Sequence, residues 1–128
     1  MAKVLGVGGV FFKTTDGDAL KAWYVRVLKF ELTDWGGVFF PPLPIGGTVW
    51  SPFAATTDYF KPSDAPFMVN YVVDDLDGVL AHIRSEGVKV LDEQAMEGMG
   101  RFAWIMDPAG TKIELWQPDD GPRDVAAA

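Results

Sequence analysis

An α+β fold made of two βαβββ modules is predicted for this 128-residue chain from an internal repeat. Asp16-Gly17-Asp18 opens one helical stretch and Asp75-Leu76-Asp77 opens another, 59 residues on. Thr48-Val49-Trp50-Ser51-Pro52 closes the first copy, and Glu114-Leu115-Trp116-Gln117-Pro118 closes the second, 66 residues on. The seven extra residues of the second copy therefore belong in its hairpins. Two such small units pack as a pair rather than fold alone.

The elements follow from local patterning. Residues 6–14 form a β-branched and aromatic run bounded by Gly and Asp, which suits a buried strand. Its glycines, Gly6, Gly8 and Gly9, miss the dinucleotide fingerprint, because Phe11 stands where the third Gly is needed. Asp16 or Asp18 then caps a helix whose apolar residues Leu20, Trp23, Tyr24, Val27 and Leu28 recur with helical spacing. Three short strands are predicted at 29–33, 37–40 and 46–50, separated by Asp34-Trp35-Gly36 and by Pro41-Pro42-Leu43-Pro44-Ile45. Module one thus covers about 5–52, and a Pro-rich linker covers 53–66.

Module two, about 67–118, begins with a strand at 67–73. Asp75 caps a helix carrying Leu76, Val79, Leu80 and Ile83 on one side, and Gly87 ends it with a left-handed cap. Strands are predicted at 88–91, 102–106 and 112–116, the last two forming a hairpin around Asp107-Pro108-Ala109-Gly110. Residues 119–128 read as a mobile tail. At this length one hydrophobic core is expected, hence a single domain of two halves.

Composition narrows the function. With no Cys, thiol nucleophiles, disulfides and Cys-based zinc sites are excluded. The net charge is -7, and the 11 basic residues are scattered singly, so no nucleic-acid or anionic-membrane surface is expected. No apolar run is long enough to span a bilayer and the start lacks a leader pattern, so a soluble, cytoplasmic protein is expected.

The paired βαβββ pattern, Trp23-Tyr24 in the first helix, Asp74-Asp75-Leu76-Asp77 at the start of the second, and the run from Asp107 to Trp116 together resemble the vicinal oxygen chelate superfamily. That superfamily holds glyoxalase I, bleomycin-resistance proteins and extradiol dioxygenases. The likeness covers roughly residues 5–118; Thr111 replaces the Asn usual in the hairpin turn, and Lys29 stands where Gly usually ends the first helix. The resemblance implies a curved mixed sheet around a cavity, with the helices on the opposite side, and commonly a homodimer.

It also implies where a divalent ion would be held, on the first and last strand of each module. Those positions carry Gly9, Thr48, Met68 and Glu114. Only Glu114 is an ordinary ligand for Zn, Ni, Fe or Mn, so no metal or other cofactor is expected. The single His, His82, falls on the helical side and reads as a solvated or boundary residue, and Asp74, Asp75 and Asp77 read as a helix cap.

Strand alternation places Phe11, Trp50, Asn70 and Trp116 on the same side as Thr48, Met68 and Glu114, and leaves Val69, Tyr71, Ile113 and Leu115 facing the helices. Phe102 and Trp104 join the cavity if their strand has the matching parity. An aromatic pocket with few polar groups suits a small molecule. The same side chains would also serve as a collapsed core. Glu114 is costly there by several kcal/mol unless paired or protonated, and Lys112 and Arg101 are its candidate partners. Pro41-Pro42-Leu43-Pro44 and Met96-Glu97-Gly98-Met99-Gly100 are candidate borders of the opening.

Three functions are compatible with this reading. The first is a metal-free protein that binds a small cationic or aromatic molecule. The second is a lyase or isomerase of the glyoxalase type, with Glu114 as base or metal ligand. The third is a filled cavity in a protein that only self-associates.

Overall fold

The computed structural model describes residues 2–119. Its elements are α1 (Gly17–Leu28), β1 (Val69–Val72), α2 (Leu76–Ser85), β2 (Asp92–Met96), β3 (Gly100–Met106) and β4 (Lys112–Pro118). The strands form one mixed sheet in the order β1-β4-β3-β2, with β1 parallel to β4 and the other neighbours antiparallel. The second copy therefore folds as an α+β module of the βαβββ type.

Both helices start where the sequence places them. The Asp16 carboxylate accepts from the Ala19 amide at 3.0 Å and the Asp75 carboxylate from the Gly78 amide at 3.2 Å, which fills orphan donors of each first turn. Gln117 Oε1 accepts a further one, from Leu76, at 2.7 Å. At the end of α2, Gly87 has φ +77°, its amide donates to Arg84, and the Val88 amide donates to Ile83, a Schellman closure. At the end of α1, Lys29 adopts φ 59°, the left-handed conformation in which a Cβ costs about 1 kcal/mol.

The helices cover one face of the sheet. Leu20, Tyr24 and Val27 of α1 and Leu76, Leu80 and Ile83 of α2 pack on Ala103 and Ile105 of β3 and Ile113 and Leu115 of β4. Tyr71 joins this side, as alternation predicts. His82 also belongs to it: its Nε2 lies 2.8 Å from the Arg26 carbonyl oxygen and so ties α2 to α1. The β3–β4 turn is organised by buried Asp107. One carboxylate oxygen accepts from the amides of Ala109 and Thr111, each at 2.9 Å, and the other accepts from the Tyr24 hydroxyl at 2.7 Å. Burial, the neighbouring Tyr71 and this bond to Asp107 push the Tyr24 phenol up, so it donates at any ordinary pH.

Two features differ from the predicted elements. The strand expected at 88–91 forms at Asp92–Met96 instead. Val88 and Val90 are apolar because they pack against the helix-side core, whereas the ladder to β3 is made by an exposed edge strand with no apolar face to announce it. The second difference lies in the first copy: α1 forms, but the strands predicted at 6–14, 29–33, 37–40 and 46–50 are not formed among the described residues. Thr33 closes a turn by donating its amide and hydroxyl to the Gly37 carbonyl, each at 2.8 Å, and Phe30 and Phe40 reach Tyr71. A strand needs a neighbour for its amides and for one face. Among the described residues, the edge of β1 away from β4 pairs with nothing. The tail predicted from residue 119 lies, from 120 on, outside the described residues. No described helix is long and apolar enough to cross a membrane.

Tyr24→Phe leaves a buried oxygen of Asp107 without its donor, and urea unfolding at fixed protein concentration should show a loss of about 1–3 kcal/mol; a change within 0.5 kcal/mol would contradict this role. Lys29→Gly relieves the left-handed residue and should raise stability by about 1 kcal/mol in the same assay.

Candidate functional site

The sheet face turned away from the helices carries a second, aromatic layer. Cross-strand register sets Asn70 beside Glu114 and Glu114 beside Trp104 in one row, and Val72 beside Trp116 and Trp116 beside Phe102 in the next. Phe102 stacks on Trp104 with centroids 6.3 Å apart and on Trp116 at 6.0 Å, with interplanar angles of 12° and 1°. Three nearly parallel rings thus run across β3 and β4, with Met68, Val72 and Leu91 packed around them. The β2–β3 hairpin holds the last ring in place, since the Trp116 indole donates to the Met99 carbonyl at 2.8 Å. The turn needs Gly100 (φ +124°), where a Cβ would run into the Gln117 carbonyl. Near Gly46, the Pro-rich connection also approaches Trp116 and Pro118.

Glu114 is 8% exposed in the midst of these rings. Neither predicted cationic partner bonds to it. Arg101 instead donates to Asp77 at 2.7 Å on the surface, which holds the Asp77 carboxyl below its usual range. Lys112 donates to the Tyr59 carbonyl at 2.7 Å and places its ammonium 5.4 Å from the Tyr59 ring and 5.7 Å from the Trp104 ring. The Glu114 carboxylate is met by three neutral donors: the Tyr59 hydroxyl and Trp104 Nε1 (3.0 Å) on one oxygen, and Asn70 Nδ2 (2.6 Å) on the other. Such saturation offsets the cost of burying the group. Burial and the bond to Glu114 push the Tyr59 phenol up, and burial pushes the Lys112 ammonium down against the opposing pull of Glu114.

Tyr59 comes from the linker between the copies, fastened to the sheet by several ties. Its ring stacks on Phe53 at 5.5 Å and meets Trp104 edge-on at 6.2 Å, and Ser63 donates to the Gly110 carbonyl at 2.5 Å. Even so, Tyr59 stays 38% exposed.

Of the predicted site residues, Met68, Asn70, Phe102, Trp104, Glu114 and Trp116 are gathered on this face. Phe11, Thr48 and Trp50 are not brought to it. They are exposed, Phe11 at 94% and Trp50 at 80%, and the segments that carry them form no strand among the described residues. Tyr59 and the ring-stacked position of Lys112 were not foreseen. The one sequence signal was the density of aromatic residues, Phe53, Tyr59 and Phe60, in a segment otherwise rich in Pro and small residues.

The donor set does not fit a divalent cation. Glu114 is surrounded by N–H and O–H donors rather than by further lone pairs, and the amide and indole nitrogens aimed at it are not metal ligands in that role. Among the described residues, no cluster of three or more His, Asp or Glu side chains could hold an ion. Two open clefts of about 430 and 390 Å³ lie elsewhere, around the end of α1 and the start of α2, and Glu114 does not line them.

Comparison with known proteins agrees with this architecture. Residues 7–115 match the Glyoxalase/Bleomycin resistance protein/Dioxygenase superfamily. Among solved structures, the chain is similar to TnmS3, an antibiotic binding protein from Streptomyces sp. CB03234, at 27% identity over 83% of this chain and 89% of that one, with a TM-score of 0.53. It is also similar to a glyoxylase/bleomycin resistance protein/dioxygenase domain from Frankia sp. EAN1pec, at 13% identity over 91% and 99% of the two chains with a TM-score of 0.56. That second likeness speaks to the fold alone. No curated protein matches the chain. With its second copy folded as a βαβββ module and the family match running over most of its length, the chain belongs to the glyoxalase/bleomycin resistance protein/dioxygenase superfamily.

Proposed function

We propose that this protein captures a small aromatic molecule on the stacked-ring face of its sheet, without a metal ion, as a single two-module domain that works as a homodimer. The observation that carries the reading is the parallel set Trp104, Phe102 and Trp116 beside a carboxylate whose bonds all come from neutral donors. The three rings are each 5% exposed, covered in part by Tyr59 and by the connection near Gly46, and an aromatic lining with a few fixed polar groups is the usual composition of a small-molecule site once such a cover moves aside. Support comes also from TnmS3, whose description is that of an antibiotic binding protein. A cationic ligand is less well served by this face, because the Lys112 ammonium already occupies the position over Tyr59 and Trp104 that a ligand cation would take. A lyase or isomerase using Glu114 as base draws no support from a carboxylate that already accepts three hydrogen bonds.

Self-association is supported by what the chain leaves bare. Phe11, Trp35, Phe39, Val49 and Trp50 are each more than 70% exposed, and one edge of β1 has no partner among the described residues. Apolar strand sequences and an open edge are covered in a stable protein, and a second copy supplies both needs at once. Such a partner would also close the side of the site where Asn70 is exposed.

Thermal-shift screening with bicyclic and tricyclic aromatic compounds tests the binding reading. A ligand at 100 times its dissociation constant should add about 2.7 kcal/mol of stability, and Trp116→Leu should weaken its binding by about tenfold. Absence of a shift with every planar compound would overturn the proposal. Sedimentation equilibrium tests the association: a dimer is expected at micromolar concentration, weakened at least tenfold by Trp50→Ser, and a wild-type monomer at 100 µM would exclude it.

A further inference from the structure

We infer that Tyr59 is the resident occupant of the site's polar end, and that the ligands taken there are aromatic hydroxyl compounds of the phenol class whose O–H replaces that of Tyr59 on Glu114. The inference rests on the binding reading above and specifies its ligand.

Two of the three donors to Glu114 belong to the sheet. Asn70 sits on β1 and Trp104 on β3, so strand register holds both residues beside Glu114. Tyr59 is different. It belongs to a linker, is partly exposed, and bonds to a residue 55 positions away in sequence. It is the donor that a ligand can displace without moving a strand, at the cost of the contacts its ring and carbonyl make with Trp104, Phe53 and Lys112.

What Tyr59 presents is a phenol, and the surroundings complement each part of it. Its hydroxyl donates to Glu114, its ring meets the indole of Trp104 edge-on at 6.2 Å, and the Lys112 ammonium lies 5.4 Å from its centroid. Other ligand chemistries fit less well at that position. An anion would face the Glu114 carboxylate. A cation would compete with Lys112 for the same rings. A neutral aromatic without a donor would leave a nearly buried carboxylate oxygen one bond short, and removing such a partner typically weakens binding by about tenfold or more. A phenolic ligand keeps the donor count unchanged while its ring takes the place of the Tyr59 ring against Trp104.

Isothermal titration calorimetry of the whole protein with 2-naphthol and with 2-methoxynaphthalene tests this directly. Wild type should bind 2-naphthol about tenfold or more tightly than the ether. In Tyr59→Phe both compounds should tighten by about tenfold while their ratio persists, because the internal competitor has lost its bond to Glu114. In Glu114→Gln the ratio should fall below about threefold, because the acceptor is no longer charged. Equal binding of the two compounds to wild type would overturn the inference and leave the aromatic-binding reading standing. So would unchanged affinities in Tyr59→Phe, or a ratio that survives in Glu114→Gln. No heat with either compound, in wild type and in Tyr59→Phe, would overturn both. The wild-type pair and Tyr59→Phe suffice should Glu114→Gln fail to fold.

Discussion

A carboxylate set between stacked aromatic rings has to find hydrogen bonds, and the bonds that Glu114 finds arrange everything on its side of the sheet. Its neighbour on β1, Asn70, and its neighbour on β3, Trp104, are fixed by strand register alone. The third donor is not, and so a segment from the linker is drawn across the sheet to deliver the Tyr59 hydroxyl. Lys112 follows, because the same segment offers it the Tyr59 carbonyl and ring, and β3 offers the Trp104 ring, in place of an ion pair. One buried acceptor thus accounts for the position of the linker and for the route of a cation that sequence reasoning would pair with it.

The opposite face obeys a parallel rule with different residues. Asp107 needs donors as Glu114 does, and takes two from its own turn and one from Tyr24 of α1, 83 positions earlier. This contact joins the first copy's helix to the second copy's hairpin. Each of the two faces therefore has one carboxylate held by a tyrosine that the other part of the chain supplies, one from a helix and one from a linker.

What the sequence made legible is local. The capping aspartates Asp16 and Asp75, the Gly87 closure and the alternation that separates Ile113 and Leu115 from Glu114 and Trp116 all depend on residues a few positions apart. The parity of Phe102 and Trp104 was open because β3 is apolar on both faces, and only pairing with β4 decides it. β2 was misplaced because the apolar run before it packs on the helices while the paired residues are polar. Tyr59 was invisible for a plainer reason: nothing near it in sequence marks a contact made 55 residues away. The first-copy segments have the composition of strands and form none among the described residues, because composition expresses a propensity and not a pairing.

β1, β4 and β2 all run in the same direction, so the chain must cross over between β1 and β2, and it does so through α2. Crossovers of this kind have one overwhelmingly favoured hand. With the hand given, the side on which the helix lies is no longer free, and neither is the side it leaves to the linker. Which surface of this sheet receives the aromatic layer and the linker is thus decided by the stereochemistry of L-amino acids before any side chain on that surface is chosen.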